Sequence, residues 1–155
     1  MIFVCAMTMA QTNAYPLLPM PQNYKVTDKS FAMGKVKLST PVLKSEWEAF
    51  IVNAGGELAD KAAAEIKVEL LPVIDGVKLN PDEAYRLSVS GKLIKIEAVT
   101  ERGVYWALQT LRQLEKKKGK KSLFAGCEIV DWPAFRIRGF MQDVGRSYIS
   151  VEELK

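Results

Sequence analysis

Ala84-Tyr85-Arg86-Leu87-Ser88-Val89-Ser90-Gly91-Lys92-Leu93-Ile94-Lys95-Ile96-Glu97-Ala98 contains two alternating runs joined by a two-residue turn. Gly91-Lys92, with glycine first, is the pattern of a type II′ hairpin turn. That turn sets a register with Val89 opposite Ile94, Leu87 opposite Ile96 and Tyr85 opposite Ala98. These pairs share one face, while Arg86, Ser88, Lys95 and Glu97 share the other. A slip of one residue would carry every apolar side chain to the polar face, so turn and pattern specify the same pairing. The stretch predicts an antiparallel hairpin whose apolar face must be covered.

Working outward, the upstream run Glu65 to Leu71 repeats the alternation and is ended by Pro72. Ile66, Val68 and Leu70 point one way and Glu65, Lys67 and Glu69 the other, which predicts a half-buried strand. Downstream, Thr100 is placed to cap a helix with Glu101 in its first turn. Val104, Ala107, Leu108, Leu111 and Leu114 then form one apolar stripe. Gly119 is the expected stop, with the lysines around it in the last turn. This helix supplies the missing cover for the hairpin and the strand.

Farther back, Ser45-Glu46-Trp47-Glu48 has the spacing of a capping box. It opens a helix with Trp47, Phe50, Ile51 and Ala54 on one face and Gly55-Gly56 at its end. Glu57 to Ala64 fits either a further helical turn or a loop. Tyr24 to Val26 and Lys35 to Leu38 read as edge strands, with lysines that discourage pairing between molecules. The sum is an α+β fold, a mostly antiparallel sheet with two helices on one face.

The 155-residue chain is long enough for a core, and 48% hydrophobic with 26% charged residues describes a globular protein. Histidine is absent, which removes Ser-His and Cys-His catalysis and most zinc sites from this chain. No metal or cofactor is expected. Cys5 and Cys127 provide no disulfide framework. The net charge of +4 is concentrated in Lys116, Lys117, Lys118, Lys120 and Lys121. That cluster either tops a helix C-terminus or serves a non-catalytic binding module for an anionic glycan or nucleic acid. No aromatic residues interleave with it, so nucleic acid is not expected as a partner. Residues 1–14 are apolar, then small and polar, like the core and cleavage zone of a secretory signal, and are too short to span a bilayer. Export to the periplasm or the extracellular space is the expectation.

At the other end stands Asp131-Trp132-Pro133-Ala134-Phe135-Arg136-Ile137-Arg138-Gly139-Phe140-Met141-Gln142-Asp143-Val144-Gly145-Arg146. Pro133 holds Trp132 extended, and a strand is expected to follow, with Arg136, Arg138, Phe140 and Gln142 on one face. Ser150-Val151-Glu152-Glu153 reads as the first turn of a new helix, which suggests a fragment. Asp82-Glu83, next to Pro81, reads as a solvated turn.

The run Asp131-Trp132-Pro133-Ala134-Phe135, then Arg138-Gly139, then Asp143-Val144-Gly145-Arg146-Ser147-Tyr148 resembles the entry into the catalytic barrel of family 20 glycoside hydrolases, the β-N-acetylhexosaminidases. Ala134, Gly145 and Ser147 stand where that family has Arg, Ser and His. Glu83 to Leu87 and Gly103 to Leu111 resemble the α+β domain that precedes the barrel. After the expected signal over 1–14, the resemblance implies an accessory domain over 15–130 and the start of a (β/α)8 barrel over 131–155. It implies a glycan ending in N-acetylhexosamine as substrate, hydrolysed with retention through attack by the substrate's own acetamide. The catalytic Asp-Glu pair would lie beyond this chain, so the chain alone would be inactive. It also implies that Arg138 hydrogen-bonds hydroxyls of the terminal sugar, a task suited to the fixed fork of a guanidinium. A salt bridge across the domain interface is the competing role for Arg138. Asp143 and Arg146 are expected to be structural, and Trp106, Trp132 and Tyr148 to pack in core or interface.

Overall fold

The computed structural model describes residues 16–139 and 150–153. The expected signal segment and residues Asp143, Arg146 and Tyr148 lie outside them. In chain order the elements are β1 (Asn23–Val26), β2 (Phe31–Ala32), β3 (Lys35–Ser39), α1 (Lys44–Asn53), β4 (Glu57–Leu58), β5 (Ala64–Leu70), β6 (Tyr85–Ser90), β7 (Leu93–Ala98), α2 (Glu101–Gln113), β8 (Glu115–Lys118), β9 (Lys121–Phe124) and β10 (Cys127–Asp131). A 3-10 turn, Pro81–Glu83, precedes β6.

Seven strands form one sheet in the order β1-β10-β6-β7-β5-β3-β4, and β2-β9-β8 form a small second sheet. The large sheet is mixed rather than mostly antiparallel. β1, β10, β6 and β7 pair antiparallel, whereas β7-β5, β5-β3 and β3-β4 are parallel. The reason is the connection through α1, which returns the chain so that β5 runs alongside β3 in the same direction. Alternation along a strand reports its faces and is silent about its neighbour's direction.

The hairpin register is as read, with Tyr85↔Ala98, Leu87↔Ile96 and Val89↔Ile94. The turn is not type II′. The positive-φ glycines among the described residues are Gly55, Gly76 and Gly119, and Gly91 is not one of them. The buried face holds the register instead. Rows run across four strands, Ile66-Ile94-Val89-Cys127 and Val68-Ile96-Leu87-Ile129, and every member is buried. Each such side chain contributes roughly 1.5–3 kcal/mol relative to exposure. The opposite face carries ion pairs such as Lys67–Glu69 at 2.7 Å, Lys95–Glu97 at 2.6 Å and Arg86–Glu97 at 3.3 Å. These pairs are only partly exposed, but ion pairs open to solvent on one side contribute on the order of 1 kcal/mol each, so the apolar rows dominate.

Both helices cover that one apolar face, and their side chains join a single core with the sheet. Thr100 caps α2 by accepting from Arg102 N at 3.2 Å. Val104, Ala107, Leu108 and Leu111 are buried as the stripe requires. α1 differs at its start. Its N-cap is Leu43 at φ 53°, without a side-chain cap, and Ser45 Oγ donates to Glu46 Oε2 at 2.8 Å instead of forming the expected box. Its end is a Schellman arrangement, Gly56 N to Ile51 O at 2.8 Å and Gly55 N to Val52 O at 2.9 Å.

The lysine cluster forms no part of a helix. α2 ends at Gln113, and the lysines lie on the β8–β9 hairpin, which turns at Gly119 (φ 64°). Lys117 Nζ donates to Asn53 O at 2.9 Å, and Ser122 N donates to Ala54 O at 3.0 Å. One of the cations, Lys117, therefore does meet a helix C-terminus, but it belongs to α1. A Cβ on Gly55 would lie 2.1 Å from Lys120 O, so only glycine admits the hairpin there. Of the stretch Glu57 to Ala64, the first two residues form β4, Ala64 opens β5 and 59–63 are loop, with no further helical turn.

Candidate functional site

A groove of about 500 Å³ opens where the segment entering β1, the outer side of α2 and the chain leaving β10 converge. Trp106, Gln109, Thr110 and Gln113 recur at helical spacing opposite the buried stripe of α2, so its periodicity places them there. Leu18, Met20, Trp106 and Phe135 give the groove an apolar lining, and Leu18 and Phe135 are largely exposed. Gln113 holds the incoming segment by pairing with the backbone of Leu18, accepting from its N–H at 2.9 Å and donating to its carbonyl at 3.0 Å.

One wall is a polar cluster behind β6. Asp131, the last residue of β10, accepts from Gln22 N at 3.0 Å and from Tyr85 OH at 3.3 Å. The Tyr85 hydroxyl also lies 2.6 Å from Thr110 Oγ1. Burial pushes the Asp131 carboxyl above the usual aspartate value, against the pull of the Gln22 and Trp132 amides and Tyr85. Burial, then the Asp131 charge, pushes the Tyr85 phenol up.

The other wall is built on Glu83. Its residue is 4% exposed, the only charged residue so buried among those described. Trp106 Nε1 donates to its Oε2 at 2.8 Å, and an Arg138 guanidinium nitrogen donates to the same oxygen at 2.5 Å. Arg102 stands at 4.0 Å. Burial raises the Glu83 carboxyl, but the bonds from Arg138 and Trp106 outweigh it, and the group is held below the usual glutamate range. Gly103 makes the approach of α2 possible, because a Cβ there would meet Ala84 O at 2.3 Å.

Arg138 itself lies outside any strand. Residues 132–139 are irregular, so the expected strand does not begin within them. Trp132 packs on Ile74 and Ala84, Asn80 Nδ2 donates to Pro133 O at 2.7 Å, and Arg138 turns back onto Glu83 and onto Phe135 O at 2.6 Å. Residues 132–139 belong to neither sheet. The guanidinium carbon sits 5.8 Å from the Trp106 ring centroid. Ser150 and Glu153 form the reciprocal bonds of a capping box, Glu153 N to Ser150 Oγ at 3.3 Å and Ser150 N to Glu153 Oε2 at 2.9 Å, within a turn.

Glu83 was therefore misread as solvated. Its partners lie 23 and 55 positions away, and a dipeptide beside a proline carries no trace of them. Among the described residues no group of three or more His, Cys, Asp or Glu could hold a metal, and no helix is long and apolar enough to cross a membrane. The arrangement can bind and orient a polar ligand through Arg138, and it lacks a convergent acid, base and nucleophile among the described residues.

Residues 14–132 match the family model described as Glycosyl hydrolase family 20, domain 2. A β-hexosaminidase of Porphyromonas gingivalis is 28% identical over 155 residues, covering 90% of this chain and 20% of the relative. A β-hexosaminidase of Vibrio furnissii is 34% identical over 96 residues, covering 62% of this chain and 15% of the relative. Among solved structures, a GH20 exo-β-N-acetylglucosaminidase of Vibrio harveyi, an inactive mutant, aligns with a TM-score of 0.68 at 31% identity. It covers 90% of this chain and 22% of that one. The chain thus spans about a fifth of the length of these relatives.

Proposed function

The chain belongs to glycosyl hydrolase family 20, and on that premise we propose that it is the amino-terminal portion of a β-N-acetylhexosaminidase. The whole enzyme removes terminal N-acetylhexosamine from glycoconjugates with retention, the substrate's acetamide attacking while a carboxylic acid protonates the leaving oxygen. The match of residues 14–132 to the family's second domain carries this reading.

In this reading residues 15–130 are an accessory layer and 131–155 begin the barrel that holds the Asp-Glu pair. Residues 1–14 direct export. Arg138 addresses the sugar hydroxyls, supported by its place in the groove, half exposed with its guanidinium already oriented. The test is release of N-acetylglucosamine from an aryl glycoside. The full-length enzyme is expected to be active and the chain alone silent, and turnover by the chain alone would refute the assignment of catalysis to a missing barrel. Arg138→Ala in the full-length enzyme is expected to lower kcat/KM with folding intact.

A further inference from the structure

We propose that Glu83, a residue of the accessory layer, is a positioning residue for the sugar-binding arginine. The inference rests on the reading of Arg138 as a substrate ligand and goes beyond it by bringing the preceding domain into the binding site. Glu83 is buried, ionised and held from one side by Trp106 Nε1, so its Oε2 is a fixed point. Arg138 meets that point at 2.5 Å and spends a second donor on Phe135 O at 2.6 Å. Trp106 also stands beside the guanidinium, 5.8 Å from ring centroid to carbon. Three contacts thus define the plane of the fork. They engage two of the five N–H bonds a guanidinium carries, while the side chain keeps 41% of its surface exposed and lines the groove.

A buried ion pair is weak grounds for stability, because desolvation offsets the attraction. Its effect here is on orientation. A long arginine side chain loses rotamer freedom whenever it is held, and Glu83 moves that loss from ligand binding to folding. The fork then waits in one pose, and bidentate recognition of neighbouring hydroxyls requires one pose.

The experiment uses the full-length enzyme with an aryl N-acetylglucosaminide and analogues lacking one ring hydroxyl at a time. Arg138→Ala is expected to lower kcat/KM roughly 10- to 100-fold and to erase the penalty for deleting a particular hydroxyl. Glu83→Gln, nearly isosteric, is expected to fold with an unchanged circular dichroism spectrum and to shrink that same hydroxyl penalty. Glu83→Asp should restore part of it. Trp106→Phe, which removes the second bond to Glu83, should act in the same direction and serves if Glu83→Gln fails to fold. An impaired Arg138→Ala beside a Glu83→Gln or Trp106→Phe whose hydroxyl penalty is intact would make Glu83 a strut and overturn this inference alone. Normal kinetics in Arg138→Ala would overturn the ligand reading and this inference together.

Discussion

Glu83 and Trp106 are joined by a 2.8 Å hydrogen bond from indole Nε1 to carboxylate Oε2, linking the turn before β6 to the outer side of α2. The same oxygen receives Arg138. Two segments far apart in the chain are thereby tied to one buried charge.

That charge gives stability a defined pH dependence. Burial opposes ionisation of Glu83, yet the bonds from Arg138 and Trp106 hold its carboxyl below the usual value. A depressed carboxyl contributes stability above its unfolded pKa, about 4.3, and loses it as pH falls through the folded value. Glu83→Gln should therefore be less stable than the parent at neutral pH, with the gap closing under acid. Urea titrations from pH 7 to pH 3 measure it, and a constant gap would contradict the assignment.

Asp131 should behave in the opposite sense. Burial raises its carboxyl despite the Gln22 amide, the Trp132 amide and Tyr85. A raised carboxyl favours the neutral acid in the folded state, so its unfavourable contribution is present above the folded pKa and is relieved as pH falls toward the ordinary aspartate range. Compared with Asp131→Asn, the parent should gain stability on acidification through that window. The same titrations, run on this pair, report the difference with the other carboxylates held in common.

Gly103→Ala tests the close approach of α2. Alanine gains about 1 kcal/mol of helix propensity over glycine. A Cβ 2.3 Å from the Ala84 carbonyl oxygen meets backbone, which no rotamer change relieves. Overpacking of that kind costs roughly 1–3 kcal/mol or more, so net destabilisation is expected. A raised midpoint of thermal unfolding would show that the helix is free to shift.

Cys127, the first residue of β10, is fully buried on the core face of the sheet, and burial pushes its thiol up to about 12. The thiolate is the reactive form. At pH 8 the folded protein should resist alkylation at Cys127, and urea should release it to quantitative labelling, as read by peptide mass spectrometry. Rapid labelling without denaturant would place the residue at a site that opens.

The hairpin and α2 were legible because their information is local. Tyr85 to Ala98 states its register in the alternation itself, and Thr100 with the stripe from Val104 to Leu111 states which way α2 faces. The capping box at Ser45 failed for a related reason. Its spacing was right, but the helix is capped two residues earlier, at Leu43 in a left-handed conformation.

By itself the sequence determined the Tyr85–Ala98 hairpin, the β5 strand, their buried faces, the two helices and the family, since each depends on neighbours within a few positions or on a motif read in order. Only the tertiary structure decided that half of the sheet is parallel, that Lys117 meets the C-terminus of α1, and that Glu83 is a buried anion holding Arg138. Those facts depend on contacts between residues tens of positions apart. Period and composition constrain which side of an element is apolar, and they leave open which distant charge meets another.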